Sequence, residues 1–451
     1  MDCTAGNAKK YSLITLCLGV TCAAWSLAAS AQGLSDDVKT LSGSASVFTG
    51  ITHTRTDRGT GTDTNTEPSI GVSGRIGGSL ERGANALALQ YGGTLETSRD
   101  TADGGQTDNS SITGASRYDY FDPGSRFDFN LGHTVRSVRD DTGFVVNPSS
   151  YETRNTLSAG AGVRFYPGEL STLRFFGQAG RSFGEGDLND QESYTVGSEF
   201  SRRLSTRSTA GLNVSRSWSD ERDTDITIDS AQLVYNLLLE NGSFSIGAGG
   251  SWAETDYGGG STSDYDAVTG FVERSWETTD WSTAVKYNRS MSDSATDLSL
   301  NMPPAFSFMP DSIRLRELVV KDSVRISHQN RRLCNGCSLG LYAEGSLLES
   351  QRTGNTRHEY RGGVNLGYQL TNLQRLNFGY SWQGDADDDA DVIVEQIHRI
   401  STGWMRQLDE NTSFGVQLIQ SYLRSDSTRD DQDQFELRFI LSRGFSMSGQ
   451  R

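Results

Sequence analysis

Nine cationic residues, Arg75, Arg126, Arg136, Arg164, Arg174, Lys286, Arg325, Arg375 and Arg438, share one setting: each occupies the polar place in a stretch where apolar and polar residues alternate. A guanidinium held that way can fork to a carboxylate or focus the field on a passing anion. Arg117 and Arg361 follow the same parity, and so do four acids, Asp128, Glu199, Glu344 and Glu436. Two readings follow. A surplus of inward cations favours an anionic polymer or solute; alternatively, the arginines pair with inward and loop carboxylates and only stiffen a wall.

Other residues with chemical potential point less far. Cys334 and Cys337 form a CxxC in RRLCNGCS. Without a second pair it is half a zinc site, and a disulfide at a hairpin tip is the reading preferred here. His53, His133, His328, His358 and His398 are scattered, and neither GxSxG nor HExxH occurs, so no enzyme, metal or cofactor is expected. The acidic run Asp385, Asp387, Asp388, Asp389 and Asp391 lacks the glycine and final glutamate of a calcium loop and reads as a solvated loop. The formal charge of −16, with no basic patch interleaved with aromatics, argues against a nucleic-acid partner. In the longest link, Asp297 to Arg314, NMPPAFSFMP carries Pro303, Phe306, Phe308 and Met309. Apolar residues on an exposed loop are costly, so they either fold inward as a constriction or pack on a rim or partner.

The elements that must position these residues are strands. In Gly363 to Trp382, Val364, Leu366, Tyr368 and Leu370 alternate with polar or small residues, a short link follows, and Leu376, Phe378, Tyr380 and Trp382 resume the alternation. The same period recurs from Ser44 to the C-terminal region. A hydrophobic share of 35% with 50 glycines is low for one packed core, yet suits a barrel whose inner face is polar. No segment after the first residues approaches the roughly twenty apolar residues of a spanning helix. Short links such as Glu81 to Asn85 and Gln407 to Asn411 alternate with long acidic or glycine-rich ones such as Thr56 to Pro68 and Arg139 to Asn155. The expectation is an all-β, transmembrane, antiparallel up-and-down barrel of about twenty strands, sixteen to twenty-two. All seven prolines are expected in links. Aromatics at strand ends, including Tyr118, Tyr120, Trp218, Trp252, Trp276 and Trp404, suit interfacial girdles. Residues 1–31, with Lys9 and Lys10, an apolar run and Ala29 and Ala31, read as a cleaved signal peptide. Residues 32–43 then form a short periplasmic segment, and residues 44–451 the outer-membrane barrel.

VNLGYQLTNLQRLNFGYSW, HRISTGWMRQLDENTSFGVQLIQSYLRSDS and FELRFILSRGF, separated by Asp-rich loops, resemble outer-membrane β-barrel porins found with exopolysaccharide and PEP-CTERM/exosortase gene clusters. The resemblance covers about the last hundred residues. Outer-membrane barrels usually finish on an aromatic, whereas here Phe445 is followed by SMSGQR. The resemblance implies an outer-membrane channel passing polysaccharide or another hydrophilic anionic solute. The implied partners are membrane lipid, lipopolysaccharide and proteins of polysaccharide export or the envelope. A non-conducting docking barrel is the reading from another class.

Overall fold

The computed structural model describes residues 38–57, 61–101, 104–122, 124–139, 152–184, 190–221, 224–257, 262–293, 311–312, 318–386, 393–425 and 431–448. They form a single antiparallel barrel of twenty strands without a helix: β1 (Val38–Asp57), β2 (Thr62–Arg82), β3 (Asn85–Arg99), β4 (Gln106–Phe121), β5 (Phe127–Arg139), β6 (Glu152–Gly168), β7 (Ser171–Gly184), β8 (Gln191–Arg203), β9 (Ser208–Glu221), β10 (Thr224–Leu239), β11 (Gly242–Asp256), β12 (Thr262–Glu277), β13 (Trp281–Asp293), β15 (Leu318–Asn330), β16 (Cys337–Ser350), β17 (Thr356–Thr371), β18 (Gln374–Ala386), β19 (Glu395–Gln407), β20 (Thr412–Ser425) and β21 (Asp431–Ser448). A two-residue bridge, β14 (Asp311–Ser312), lies outside this ring. Each wall strand pairs with its neighbours in chain order, β13 with β15, and β1 also pairs with β21 from Thr40↔Ser448 to Asp57↔Asp431. That pairing closes the ring. Strand β1 is described from Val38, and Val38 and Thr40 to Gly43 pair with β2 ahead of Ser44.

Directly paired residues point to the same face, so the register sorts side chains into two sets. One set holds Val47, Ile70, Phe129, Val196, Leu233 (65% exposed), Val268 (75% exposed), Phe378 and Phe439. So broad an apolar surface is untenable in water and fits a bilayer. Tyr118, Trp276 and Trp404 stand toward the short-turn ends of their strands on this face, and Trp218 and Trp252 toward the long-loop ends. Phe445 belongs to the same outer row of β21, two places beyond Arg443, with its ring over Gly43. At the β19–β20 turn, the amides of Asn411 and Thr412 donate to Asp409 Oδ1 at 2.8 and 2.7 Å. These bonds, that from Asn411 first, hold the Asp409 carboxyl below its ordinary range.

Two links differ from expectation. Pro68 lies inside β2, opposite Ile51, at a point where β2 has β1 but not yet β3 beside it; an edge position tolerates the missing N–H. Pro167 lies in β6 at the irregularity between Phe165 and Gly168, another place where the ladder is interrupted.

In the long-loop half the ring loses pairing twice. β4 and β5 pair only from Gly114↔Val135 downward, and β12 and β13 only from Gly270↔Arg289 downward. At the second seam Arg289 donates from Nε to the Val268 carbonyl at 3.1 Å and forms an ion pair with Asp322 at 2.5 Å, supplying a donor to an edge carbonyl of β12. Above it, Met291, Val320 and Leu318 carry outer-face parity, yet they are buried and pack with Ile226 and Ala253 of the inner face of β10 and β11. Tyr265 and Ala267 of β12 join them. The upper β13–β15 hairpin therefore tucks inside the wall formed by β10 to β12. At the other seam, Asp311 and Ser312 pair in parallel with Val138 and Arg139 of β5, nine strands round the ring from β15.

Leu318 is 1% exposed and anchors this infolded packing. Replacing Leu318 by Ala should cost about 2–4 kcal/mol of local packing. The expected outcome is faster protease cleavage between β13 and β15 with the heat-modifiable electrophoretic shift of the folded barrel retained. Unchanged cleavage kinetics would mean the hairpin is held elsewhere.

Candidate functional site

The polar face of the wall is the concave one. Arg438 Nη2 of β21 reaches Glu96 Oε2 of β3 at 3.1 Å, past two intervening strands, which side chains can do only across the inside of a curve. The floor beneath this contact is Gly71, where a Cβ would lie 2.3 Å from the Phe48 ring. The Arg438 guanidinium stands 4.7 Å above that ring and also pairs with Glu436. Removing a side chain at Gly71 is what lets Phe48 lie flat and carry the cation.

A second group spans β5 to β8. Arg174 bonds Asp128 with Nη2 at 2.6 Å and Nε at 3.1 Å, and bonds Glu199 with Nη1 at 3.2 Å, while Arg164 approaches Asp128 at 3.2 Å. The bond from Arg174 to Asp128 passes over β6 at Gly162, whose Cβ would sit 2.8 Å from both Arg174 Nε and Asp128 Oδ1. The group borders a cavity of about 320 Å³ shared with Ser201, Asn213 and Asn236.

The third group occupies the inner face from β15 to β18. Arg325 pairs with Glu344 at 3.1 Å, and the Tyr342 hydroxyl donates to the same carboxylate. Arg357 pairs with Asp385 at 2.5 Å and Glu359 at 3.7 Å, and Arg361 approaches Glu359 at 3.6 Å. Lys286 meets Glu273 at 3.8 Å.

Of the nine cations singled out from sequence, Arg164, Arg174, Lys286, Arg325 and Arg438 therefore stand beside carboxylates. Arg136 stands on the same face of β5 as Asp128, in register with Arg154. Arg75, Arg126 and Arg375 have no ion pair among the described residues. Arg126 lies beside the β4–β5 turn and Arg375 beside the β17–β18 turn. Arg75 and Arg375 border one cavity of about 770 Å³, otherwise lined mainly by hydroxyl and amide side chains such as Ser73, Thr94, Gln369 and Gln407. Pro303, Phe306, Phe308 and Met309 lie outside the described residues. Cys334 and Cys337 are bonded across the β15–β16 turn with Cα atoms 4.9 Å apart, and the Gly336 carbonyl of that turn accepts from the Gln369 amide of β17 at 2.9 Å.

Sequence reasoning placed Asp128, Glu199, Glu344 and Glu436 correctly on the inner face but passed over Glu96, Glu273, Glu359 and Asp385. Glu96 was readable, since Leu95 beside it belongs to the outer row. Asp385 was assigned to an acidic loop, whereas β18 runs to Ala386 and pairs Asp385 with Glu359. Among the described residues no cluster of histidine, cysteine and carboxylates could hold a metal ion.

No family model matches the chain, and no curated protein matches it. Among solved structures, a mutant of the ferric enterobactin receptor PfeA from Pseudomonas aeruginosa is similar at 11% identity and TM-score 0.48, over 91% of this chain and 81% of that one. The FrpB iron transporter from Neisseria meningitidis is similar at 9% identity and TM-score 0.45, over 92% and 82%. OccK7 (OpdD) from Pseudomonas aeruginosa is similar at 12% identity and TM-score 0.34, over 90% and 99%. At such identities and scores nothing about cargo follows.

A valine at Gly162 would displace Arg174 from Asp128 and leave a half-buried carboxylate with one fewer donor. Urea unfolding in detergent, followed by tryptophan fluorescence, should show a loss of roughly 1–3 kcal/mol. Gly177→Val, on the outer face where a Cβ meets nothing closer than 4.0 Å, should stay within about 0.5 kcal/mol.

Proposed function

We propose that this chain is a passive channel of the outer membrane that lets a hydrophilic anionic solute, polysaccharide among the candidates, cross through the barrel lumen. The reading is supported by a closed wall with an apolar outer face, by Arg75 and Arg375 in the opposite row of their strands and by Arg126 beside the β4–β5 turn, none of the three in an ion pair among the described residues. A bilayer accepts the outer face, and the barrel's short turns and termini face the periplasm in this reading. Long-range attraction scales with uncompensated charge, so the paired arginines contribute little to selectivity and the unpaired ones most of it. The lumen is narrowed by the upper β13–β15 hairpin, which packs against the inner faces of β10, β11 and β12. Lipid and lipopolysaccharide surround the wall, and proteins of polysaccharide export or the envelope are its partners in this reading.

That same hairpin favours a second reading, a docking barrel whose lumen is filled and does not conduct. Planar-bilayer recordings separate the two. A conducting wild type with anion preference, reduced in Arg75→Ala/Arg375→Ala and Arg126→Ala but little changed in Arg438→Ala/Glu96→Gln, supports the channel. Absence of current from folded protein, and again after Leu318→Asp releases the hairpin, supports the docking barrel. Equal ion selectivity in all variants removes the role given to the unpaired arginines.

A further inference from the structure

The register carries a pattern on the inner face that charge does not explain. Ser413 of β20 pairs with Ser442 of β21, Ser442 with Ser46 of β1, Ser46 with Ser73 of β2, Ser73 with Thr94 of β3, and Thr94 with Ser111 of β4. Six consecutive strands thus place a hydroxyl at one continuous register line. These positions share the parity of Phe48 and Arg438, so the row belongs to the concave face. All six are half-buried, and only Ser46 and Ser442 bond each other, Oγ to Oγ at 2.7 Å. Ser73, Thr94, Ser111 and Ser413 have no side-chain hydrogen bond among the described residues.

Two further observations give the row a direction and a ligand chemistry. Because strands of a barrel tilt, a line of register climbs the wall. Ser413 sits one residue inside the short-turn end of β20, whereas Ser111 stands in the long-loop half of β4. Successive hydroxyls are spaced by the strand separation, roughly 4.8 Å, so that the row runs for about 24 Å. That interval is close to the length one sugar unit occupies in an extended chain. The row also borders the 770 Å³ cavity that Arg75 and Arg375 share, and the neighbouring line sets Arg75 between Ser44 and Gly92.

We infer that this row is a hydroxyl rail for an extended polysaccharide chain, one hydroxyl per sugar unit, with Arg75 and Arg375 receiving carboxylates where the sugars are uronates. Each side chain both donates and accepts, which matches sugar hydroxyls in any orientation and holds each unit weakly. A chain can then step along the rail without being trapped. The rail rests on the reading of the barrel as a solute channel but is tested apart from conduction.

Isothermal titration of the detergent-solubilised full chain would use two probe series of two to seven units: linear β-1,4-linked glucose oligomers and the matching uronate oligomers. Affinity should rise with each added unit and level off near six, and the uronates should bind more tightly than the neutral series. Ser73→Ala/Thr94→Val/Ser442→Ala should weaken the hexamers at least tenfold, while Ser230→Ala/Ser251→Ala, inner-face hydroxyls on the opposite wall, should bind like wild type. Arg75→Ala/Arg375→Ala should remove only the uronate advantage. Length-independent affinity, an unaffected triple variant, or a two-unit uronate binding as well as six would overturn the rail. Length-dependent binding without any bilayer current would sink the channel reading and leave the rail standing; current without length-dependent binding would do the reverse.

Discussion

Closure of the backbone ladder is the constraint on which the remaining features depend. An amide left unpaired in hydrocarbon costs several kcal/mol, so a sheet in a bilayer must have no edge. Here β1 supplies the closure by pairing over its length with β2 on one side and from Thr40 onward with β21 on the other. Once the ring is closed, the two-residue period assigns every side chain to one of two environments, and a slip of one residue would exchange them. The apolar band, the inner ion pairs and the hydroxyl row all follow from that one choice of register. Strand tilt adds the third dimension, because residues level in register are not level in height.

Among the described residues the ring departs from full pairing at two seams. Both seams open in the long-loop half, above Gly114↔Val135 and Gly270↔Arg289. Each is managed differently. At β12, the Arg289 side chain meets the Val268 carbonyl; at β5, Asp311 and Ser312 supply a short parallel partner. The lapse of pairing is also what frees the β13–β15 hairpin to turn inward. Its Met291, Val320 and Leu318 would have faced outward in an unbroken ring, and infolding lets them bury against Ile226 and Ala253 instead. The part of the wall that turns inward is thus the wall's own strands β13 and β15.

Much of this could be read from the residues in order, and the limits have physical causes. Alternation is local, so Val364, Leu366, Leu376 and Phe378 announce their strands and their face without help from the fold. The strand count follows from it. Loop lengths were overestimated because hairpins continue beyond the apolar band, where polar sequences such as Thr62 to Glu67 need no hydrophobic period to pair. The infolded hairpin was illegible, since parity puts Leu318 outside and only tertiary packing buries it. Ion pairs such as Arg438 with Glu96 depend on strands far apart in sequence. The hydroxyl row was hidden for the same reason. In one dimension Ser46, Ser73, Thr94 and Ser111 are merely members of the polar half of an alternation, and only the register aligns them.

Charge and hydroxyl on the inner face divide the work of such a lumen. A half-buried arginine must meet a carboxylate or be poorly solvated, and the groups around Asp128, Glu344 and Glu96 show that solution. Pairing of that kind rigidifies the wall and cancels the field that would draw an anion. A hydroxyl escapes the dilemma, because it carries no net charge to neutralise and remains free to bond whatever passes. The row has Arg75 and Arg375 nearby and, further toward the long loops on β3 and β21, the group of Arg438, Glu96 and Glu436, whose charges already meet one another. A surface that must hold a long hydrophilic chain briefly at many points is better made from weak, interchangeable bonds than from a few strong ones, since each step then costs only the exchange of one such bond for the next.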